Sequence, residues 1–437
     1  MKRYVTEVIE SGLGDGELHQ LVTTQVSWHG SPDLVDSFVK FGVHSNEPGC
    51  RRNYRSSMDL SGAAIVGIGR TAYTRKSGRT GIALAAEAVR AALDDCGLTA
   101  ADVDGMTCFS TGDPASPLRV SHAVGIDDIG WAVNTLAGGN AVVTVMANAA
   151  AAVITGLAEV VVVYRVLDAS TRYGKVTGAV TVGGAEQFAA PHGYLVPPQW
   201  FAMWARRHQH VYGSTNEDLG AIAINGRNHA AKNPHAIARD PITLDDYLNG
   251  RMVVEPFRVF DCAYEVDGAV ALVLTTAERA ADLRHKPIYP IGAADSTGAG
   301  GVADYWDDMT AMYSREAAPR LWSRTGLTAA EMDFACMYDC FTYTVMATVE
   351  DFGFCEKGEV GDFFRSGRAT YGGDVVINPH GGLLSEGYLH GLNHHYEAVA
   401  QLRGEAGERQ VAGAEVGLVS AGAGPYGGGI VYASARP

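Results

Sequence analysis

Two short stretches toward the C-terminal end of the chain gather groups that can move protons. Met337–Thr342, MYDCFT, sets Asp339 directly after Tyr338. Asn378–Gly391, NPHGGLLSEGYLHG, carries His380, Tyr388 and His390, with His394 and His395 just beyond. Holding an untuned tyrosine (pKa ~10) as phenolate at neutral pH costs about 4 kcal/mol, so such a tyrosine is a better proton donor than base. A proton taken from an alcohol can pass through a tyrosine to a neighbouring histidine or carboxylate, so acid–base chemistry is what these residue types suit.

A third stretch offers backbone chemistry. Gly138, Gly139 and Asn140 precede the apolar run Val142–Ile154, and N–H groups at a helix N-terminus can bind a developing negative charge. The same residues also suit a sharp turn where only small side chains fit. The seven cysteines (Cys50, Cys96, Cys108, Cys262, Cys336, Cys340 and Cys355) are odd in number and form no CxxC pair. They read as free thiols of a reducing compartment, with no structural zinc expected. His394 and His395 are adjacent, so on a helix they point apart. With no carboxylate at ligand spacing, a surface pair is the plainer reading and no metal is assigned. His380, in a Gly-rich turn, reads first as a solvated loop histidine and second as a substrate contact.

The elements that position these groups need a large core, and 437 residues at 47% hydrophobic content supply one. A net charge of −15 repels phosphate backbones, and no Lys/Arg run with interleaved aromatics offsets it, so nucleic acid is not an expected partner. The most apolar stretch, Ala141–Val163, is interrupted by Asn148 and Glu159, which fits a buried helix followed by a buried strand, not a membrane span. No charged start with an apolar run behind it opens the chain, and a cytoplasmic location is expected.

Residues 1–59 are rich in turn signals and poor in apolar runs, and are expected to stand outside the core, with Met58 a candidate internal start. From Ala63, AAIVGIG reads as a strand. An internal repeat then organises the rest: Gly97–Met106 is GLTAADVDGM and Gly326–Ala335 is GLTAAEMDFA. Each follows an amphipathic helix (expected over 81–95 and 310–324), begins on the glycine that ends it, and leads into a short strand. Two copies of one unit imply a duplicated α/β architecture with halves at 60–285 and 286–437. Tyr173–Pro198, rich in glycine and aromatics, is a candidate lid.

Five blocks in this order resemble the thiolase superfamily, and within it the sterol-carrier-protein-type thiolases and their lipid-transfer-protein relatives. They are Val133–Ala141 (VNTLAGGNA), Asn233–Leu274, Met337–Thr342, Asn378–Gly391 and Ser420–Gly429 (SAGAGPYGGG). The resemblance implies βαβαβαββ halves in a five-layer α-β-α-β-α arrangement. It also exposes departures. Ala137 stands where a thiolase carries its nucleophilic cysteine, Tyr338 and Tyr388 stand where it carries two histidines, and Ser420 lies near the place of the second cysteine. No acyl-enzyme forms on a methyl group. Cys340 resembles a cysteine that thiolases carry without using as nucleophile, and is expected to be buried.

The resemblance is nearest to the lipid-transfer-protein-like aldolases of steroid side-chain degradation, which cleave a 3-hydroxyacyl-CoA. It implies retro-aldol cleavage of a 17-hydroxysteroid side chain to a 17-ketosteroid and propionyl-CoA. Tyr388 is then the proton acceptor and Tyr338 the donor, or the reverse, with His390 and Asp339 beside them. Gly138, Gly139, Asn140, His380 and Gly427 are the expected substrate and oxyanion contacts. No cofactor beyond the CoA of the substrate is implied. The implied partners are a second copy of the chain and a small OB-fold protein associated with acyl-CoA binding. A non-catalytic acyl-CoA or lipid binding subunit, and an acyltransferase with a displaced cysteine, remain as alternatives.

Overall fold

Two five-stranded sheets with the same strand order build the protein, whose computed structural model describes residues 59–172, 186–194, 196–297 and 308–437. The chain divides into Met1–Asn53 and Tyr54–Pro437. The segment expected to stand apart, including Met58, lies outside the described residues except for Asp59, and so does the 173–185 part of the candidate lid.

The first sheet comprises β1 (Ala63–Arg70), β2 (Gly105–Ser110), β3 (Trp131–Leu136), β4 (Val160–Asp168) and β5 (Asp267–Thr276), in the order β1-β5-β4-β2-β3. The second comprises β6 (Tyr289–Ser296), β7 (Phe334–Cys336), β8 (Val376–Ile377), β9 (Val416–Ala423) and β10 (Tyr426–Ala433), in the order β6-β10-β9-β7-β8. In both, the first two pairings along this order are antiparallel and the last two parallel. The duplication suggested by the repeat is therefore a duplication of topology.

The repeat marks the equivalent junctions. Helix α1 (Gly81–Cys96) ends on Gly97 at φ 77°, and helix α6 (Ser314–Thr325) ends on Gly326 at φ 71°, a left-handed cap that glycine adopts without steric cost. Asp102 then accepts from the N–H and hydroxyl of Thr99, and Glu331 does the same for Thr328. The second helix starts four residues later than the expected 310. Asp308 accepts from the N–H and hydroxyl of Thr310 and holds that stretch as a turn.

Between the sheets run α3 (Val142–Ile154) and α8 (Leu392–Arg403), each touching strands of both. Their burial on nearly all sides explains why Val142–Ile154 has no polar face. Helix α1 covers the outer face of the first sheet and α6 that of the second, which completes five layers. Among the intervening helices are α2 (Pro117–Val124), α4 (Pro197–Tyr212) and α5 (Asn216–Ala231). The strand run VVVVY of β4 is fully buried, and each such valine contributes roughly 1.5–3 kcal/mol relative to exposure.

Candidate active site

The site grows out of two loops that hold one another. Tyr338 lies just past β7, before α7 (Thr342–Asp351), and its main chain is fixed at both ends. Its N–H donates to Ser420 Oγ (3.1 Å), and its carbonyl accepts from Thr344 Oγ1 (2.8 Å). Asn378, the first residue of the NPHGG stretch, accepts from Met337 N–H (2.7 Å) and donates back to its carbonyl (3.0 Å). Asp339 returns the grip: its two oxygens accept from the N–H groups of Leu383 and Leu384 (2.7 and 3.1 Å). The carboxylate thus holds the turn that leads to Tyr388.

Tyr388 is placed by the backbone as well, its N–H donating to Tyr264 O (2.7 Å). Just before it, the buried Glu386 pairs with Arg70 (3.0 Å) and accepts from Asn233 and Asn393 (3.0 and 2.7 Å). From these anchors the two phenols meet, with hydroxyl oxygens 3.0 Å apart and rings tilted at 65°. Tyr338 is buried and Tyr388 half-buried, so Tyr388 lies on the more open side.

The loop at Gly138–Asn140 closes on this pair. A Cβ on Gly139 would overlap the Tyr338 hydroxyl and ring, so the glycine makes room for the phenol. The loop leads into α3, and Gly138 and Asn140 flank the contact as half-buried residues. Gly427 is placed differently: it pairs with Gly422 in the β9–β10 ladder and packs on the Tyr313 ring. Close packing accounts for that glycine.

The histidines are more deeply set than their loops suggested. His380, His394 and His395 are fully buried, against the reading of a solvated loop residue and a surface pair: α8, which carries His394 and His395, runs between the two sheets, and the turn that carries His380 packs against His394. His394 Nδ1 meets His380 Nε2 at 3.0 Å, and His394 Nε2 lies 3.4 Å from Asp339. His395 turns away to the Tyr432 hydroxyl at 2.7 Å. Burial, and then His394, holds His380 well below the usual histidine range, and burial holds His395 down at about 3. Cys336 joins His380 and His394 with possible ligand atoms within 4.8 Å of one another. The two nitrogens at 3.0 Å share a hydrogen bond, which occupies them with each other.

His390 sits beside the pair, its ring edge-to-face with Tyr388 at 5.0 Å. It adopts φ 54°, uncommon for a non-glycine residue. Arg165 of β4 donates from Nε to His390 Nδ1 (3.1 Å), and its Nη1 contacts both oxygens of Asp113 (3.1 and 3.0 Å). Burial, and then Arg165, keeps His390 well below its ordinary pKa. Arg165 and Asp113 were not among the sequence candidates. The available signal was a lone arginine in the strand VVVVYRVLD.

Cysteine chemistry finds no support at this site. Cys340 is buried as expected, and burial pushes its thiol up, away from the thiolate that acts as nucleophile.

Residues 301–431 match the family described as "Thiolase C-terminal domain-like". The chain is 42% identical over 390 residues to the 17-hydroxy-3-oxo-4-pregnene-20-carboxyl-CoA lyase of Mycobacterium tuberculosis, covering 85% of this chain and 99% of that protein. It belongs to the thiolase superfamily, among the steroid side-chain-cleaving aldolases. A second aldolase of this group, the steroid side-chain-cleaving aldolase of Thermomonospora curvata, is 40% identical over 393 residues, covering 86% of this chain and 98% of that one. The solved Ltp2-ChsH2(DUF35) aldolase superposes with a TM-score of 0.80 at 39% identity, over 87% of this chain and 100% of that chain. The chain thus shares its fold with that aldolase over that chain's whole length.

Proposed function

We propose that this protein is a lyase that cleaves a 3-hydroxyacyl-CoA side chain of a 17-hydroxysteroid by a retro-aldol reaction, giving a 17-ketosteroid and propionyl-CoA. The observation that carries the mechanism is the 3.0 Å contact between the Tyr338 and Tyr388 hydroxyls.

A lone tyrosine acting as base would have to ionise, at a cost of about 4 kcal/mol at neutral pH. Two phenols in contact avoid that cost. As the substrate hydroxyl gives its proton to the Tyr388 oxygen, Tyr388 passes its own to Tyr338, and Tyr338 gives its proton to the α carbon of the departing thioester. The O–H electron pair becomes the ketone C=O, and the electrons of the broken carbon–carbon bond pass through the thioester enolate into the new C–H bond. The proton lost by the alcohol is balanced by the one gained at carbon, and both tyrosines end as they began. Backbone N–H groups around Gly138–Asn140, at the approach to α3, suit the negative charge that develops on the thioester oxygen. With Ala137 at the nucleophile position the reaction needs no covalent intermediate.

A homodimer and a complex with a small OB-fold acyl-CoA-associated protein belong to the same reading. A solved aldolase similar to this chain, Ltp2-ChsH2(DUF35), carries a second protein in its name, which supports a protein partner. Among the described residues β3 pairs with β2 alone and leaves an open sheet edge, which supports pairing with a second copy. No described helix is long and apolar enough to cross a membrane. The thiols found free among the described residues favour a cytoplasmic location.

Incubation with a 17-hydroxysteroid carrying a three-carbon carboxyl-CoA side chain, with and without the partner, tests the reading by mass spectrometry. Formation of 17-ketosteroid and propionyl-CoA in equal amounts is expected. Intact substrate in the presence of folded protein and partner would overturn it.

A further inference from the structure

We propose that Arg165 is a positioning residue: by donating to His390 Nδ1 it fixes the imidazole with its proton on Nε2, so that His390, packed edge-to-face beside Tyr388, is left with an N–H donor and not a base.

The geometry leaves little choice of tautomer. A guanidinium carries donors only and keeps its proton throughout the working pH range. With Arg165 Nε 3.1 Å from Nδ1, that nitrogen must present its lone pair. The proton of the neutral ring is therefore on Nε2. Taking up a second proton would set N–H against N–H and break the contact.

Stability alone does not explain the arginine. Arg165 is 1% exposed in an apolar strand, and replacing a buried ion pair with apolar residues is often neutral or stabilising. Its paired carboxylate, Asp113, fixes the guanidinium, and the Phe109 ring lies 5.4 Å below it. Phe109 also stacks on His390 at 6.2 Å, so one aromatic face aligns both groups. The left-handed backbone at His390, φ 54°, is a second cost at the same place, and such conformations persist where the surroundings enforce them. Facing His390 are Arg165 from β4, backed by Asp113, and Tyr388 from its own loop.

The donor role rests on the aldolase reading, since it matters where charge develops during cleavage. The tautomer does not, and can be measured without substrate. In protein labelled with nitrogen-15 at histidine, with the His390 signals assigned by their loss in His390→Asn, NMR should show the neutral Nε2–H form unchanged from about pH 5.5 to about 8.5 against an ordinary pKa of ~6.5. An Nδ1–H tautomer, or titration in that range, would overturn the proposal even if turnover is never found.

With turnover, Arg165→Met should lower kcat about 10-fold with little change in KM and move an acid limb of the pH profile to higher pH than in the wild type, as His390 loses the neighbouring cation while staying buried. The limb should vanish in Arg165→Met combined with His390→Asn. Arg165→Lys, which can also donate to Nδ1, should restore most of the wild-type profile. An Arg165→Met protein with wild-type kcat and profile would overturn the positioning role.

Discussion

Gly139 lies so close to the Tyr338 phenol that a side chain of any size would occupy the space of its hydroxyl. The loop that carries the nucleophile in a thiolase here serves as the wall against which a tyrosine is set. Gly139→Ala should therefore displace Tyr338 and break its contact with Tyr388, with a loss of kcat on the order of 100-fold. Because φ at Gly139 lies outside the left-handed region, alanine fits the backbone and the far-ultraviolet circular dichroism should stay that of the wild type. A variant that keeps its rate would mean the hydroxyl contact is dispensable.

The tyrosine relay makes a sharper demand. Tyr338→Phe and Tyr388→Phe each remove one link, and each should lower kcat by about 10²- to 10⁴-fold without unfolding the protein. Because the two act as one unit, the double variant should be about as slow as the slower single one. Product formation by mass spectrometry measures all three. Losses that multiply would show two independent roles in place of a shared proton.

Asp339 is separated from this chemistry by what it bonds to. With both oxygens accepting from Leu383 and Leu384 N–H, Asp339→Asn places an amide donor against a backbone donor. It should cost about 1–3 kcal/mol of stability. A fall in thermal midpoint is expected, with a smaller loss of kcat at low temperature than in either tyrosine variant. The reverse pattern would restore Asp339 to the proton path.

The residues that reveal the fold are those with local signals. Gly97 and Gly326 announce their helix ends because few other residues take that φ, and the strands and α3 follow from uninterrupted apolar runs. The phenol pair could be named because both tyrosines replace motif residues, but their 3.0 Å separation is a tertiary fact. Residue polarity alone places His394 and His395 at the surface, whereas the layer between two sheets buries whatever α8 carries, and His380, in the turn before it, is buried against His394. Arg165 and His390 are 225 residues apart, and no spacing rule joins them.

Buried histidines set the acid side of the stability profile. His229 is lowered to about 4 and His395 to about 3, both by burial, and His380 and His390 are lowered as well. An unfolded histidine takes its proton near pH ~6.5, so their contribution is complete above that pH and is lost as pH falls toward the folded values. At pH 5 each of the two costs about 2 kcal/mol relative to pH 7.5. Asp261 and Asp295, raised to about 6 by burial, act the opposite way and gain stability as pH falls from ~6 toward ~4. Burial also lowers His235, to about 4, and raises Glu265, Asp351 and Glu397; because all five lowered histidines take up their protons on unfolding across this interval, the urea midpoint should fall between pH 7 and pH 5. A midpoint that rises over that interval would show these histidines protonated in the folded protein.

The β3 edge of the first sheet, unpaired among the described residues, gives the last expectation. Along β3, Ala132, Asn134 and Leu136 are exposed and alternate with half-buried residues, and Leu136 is 80% exposed. An unpaired edge ending in an exposed leucine is a template for another strand. Pairing of β3 with β3 of a second copy would satisfy its free backbone groups and cover Leu136. Leu136→Lys should then shift the protein from dimer to monomer by light scattering at micromolar concentration. A wild-type monomer, or a lysine variant that stays dimeric, would place the subunit contact elsewhere.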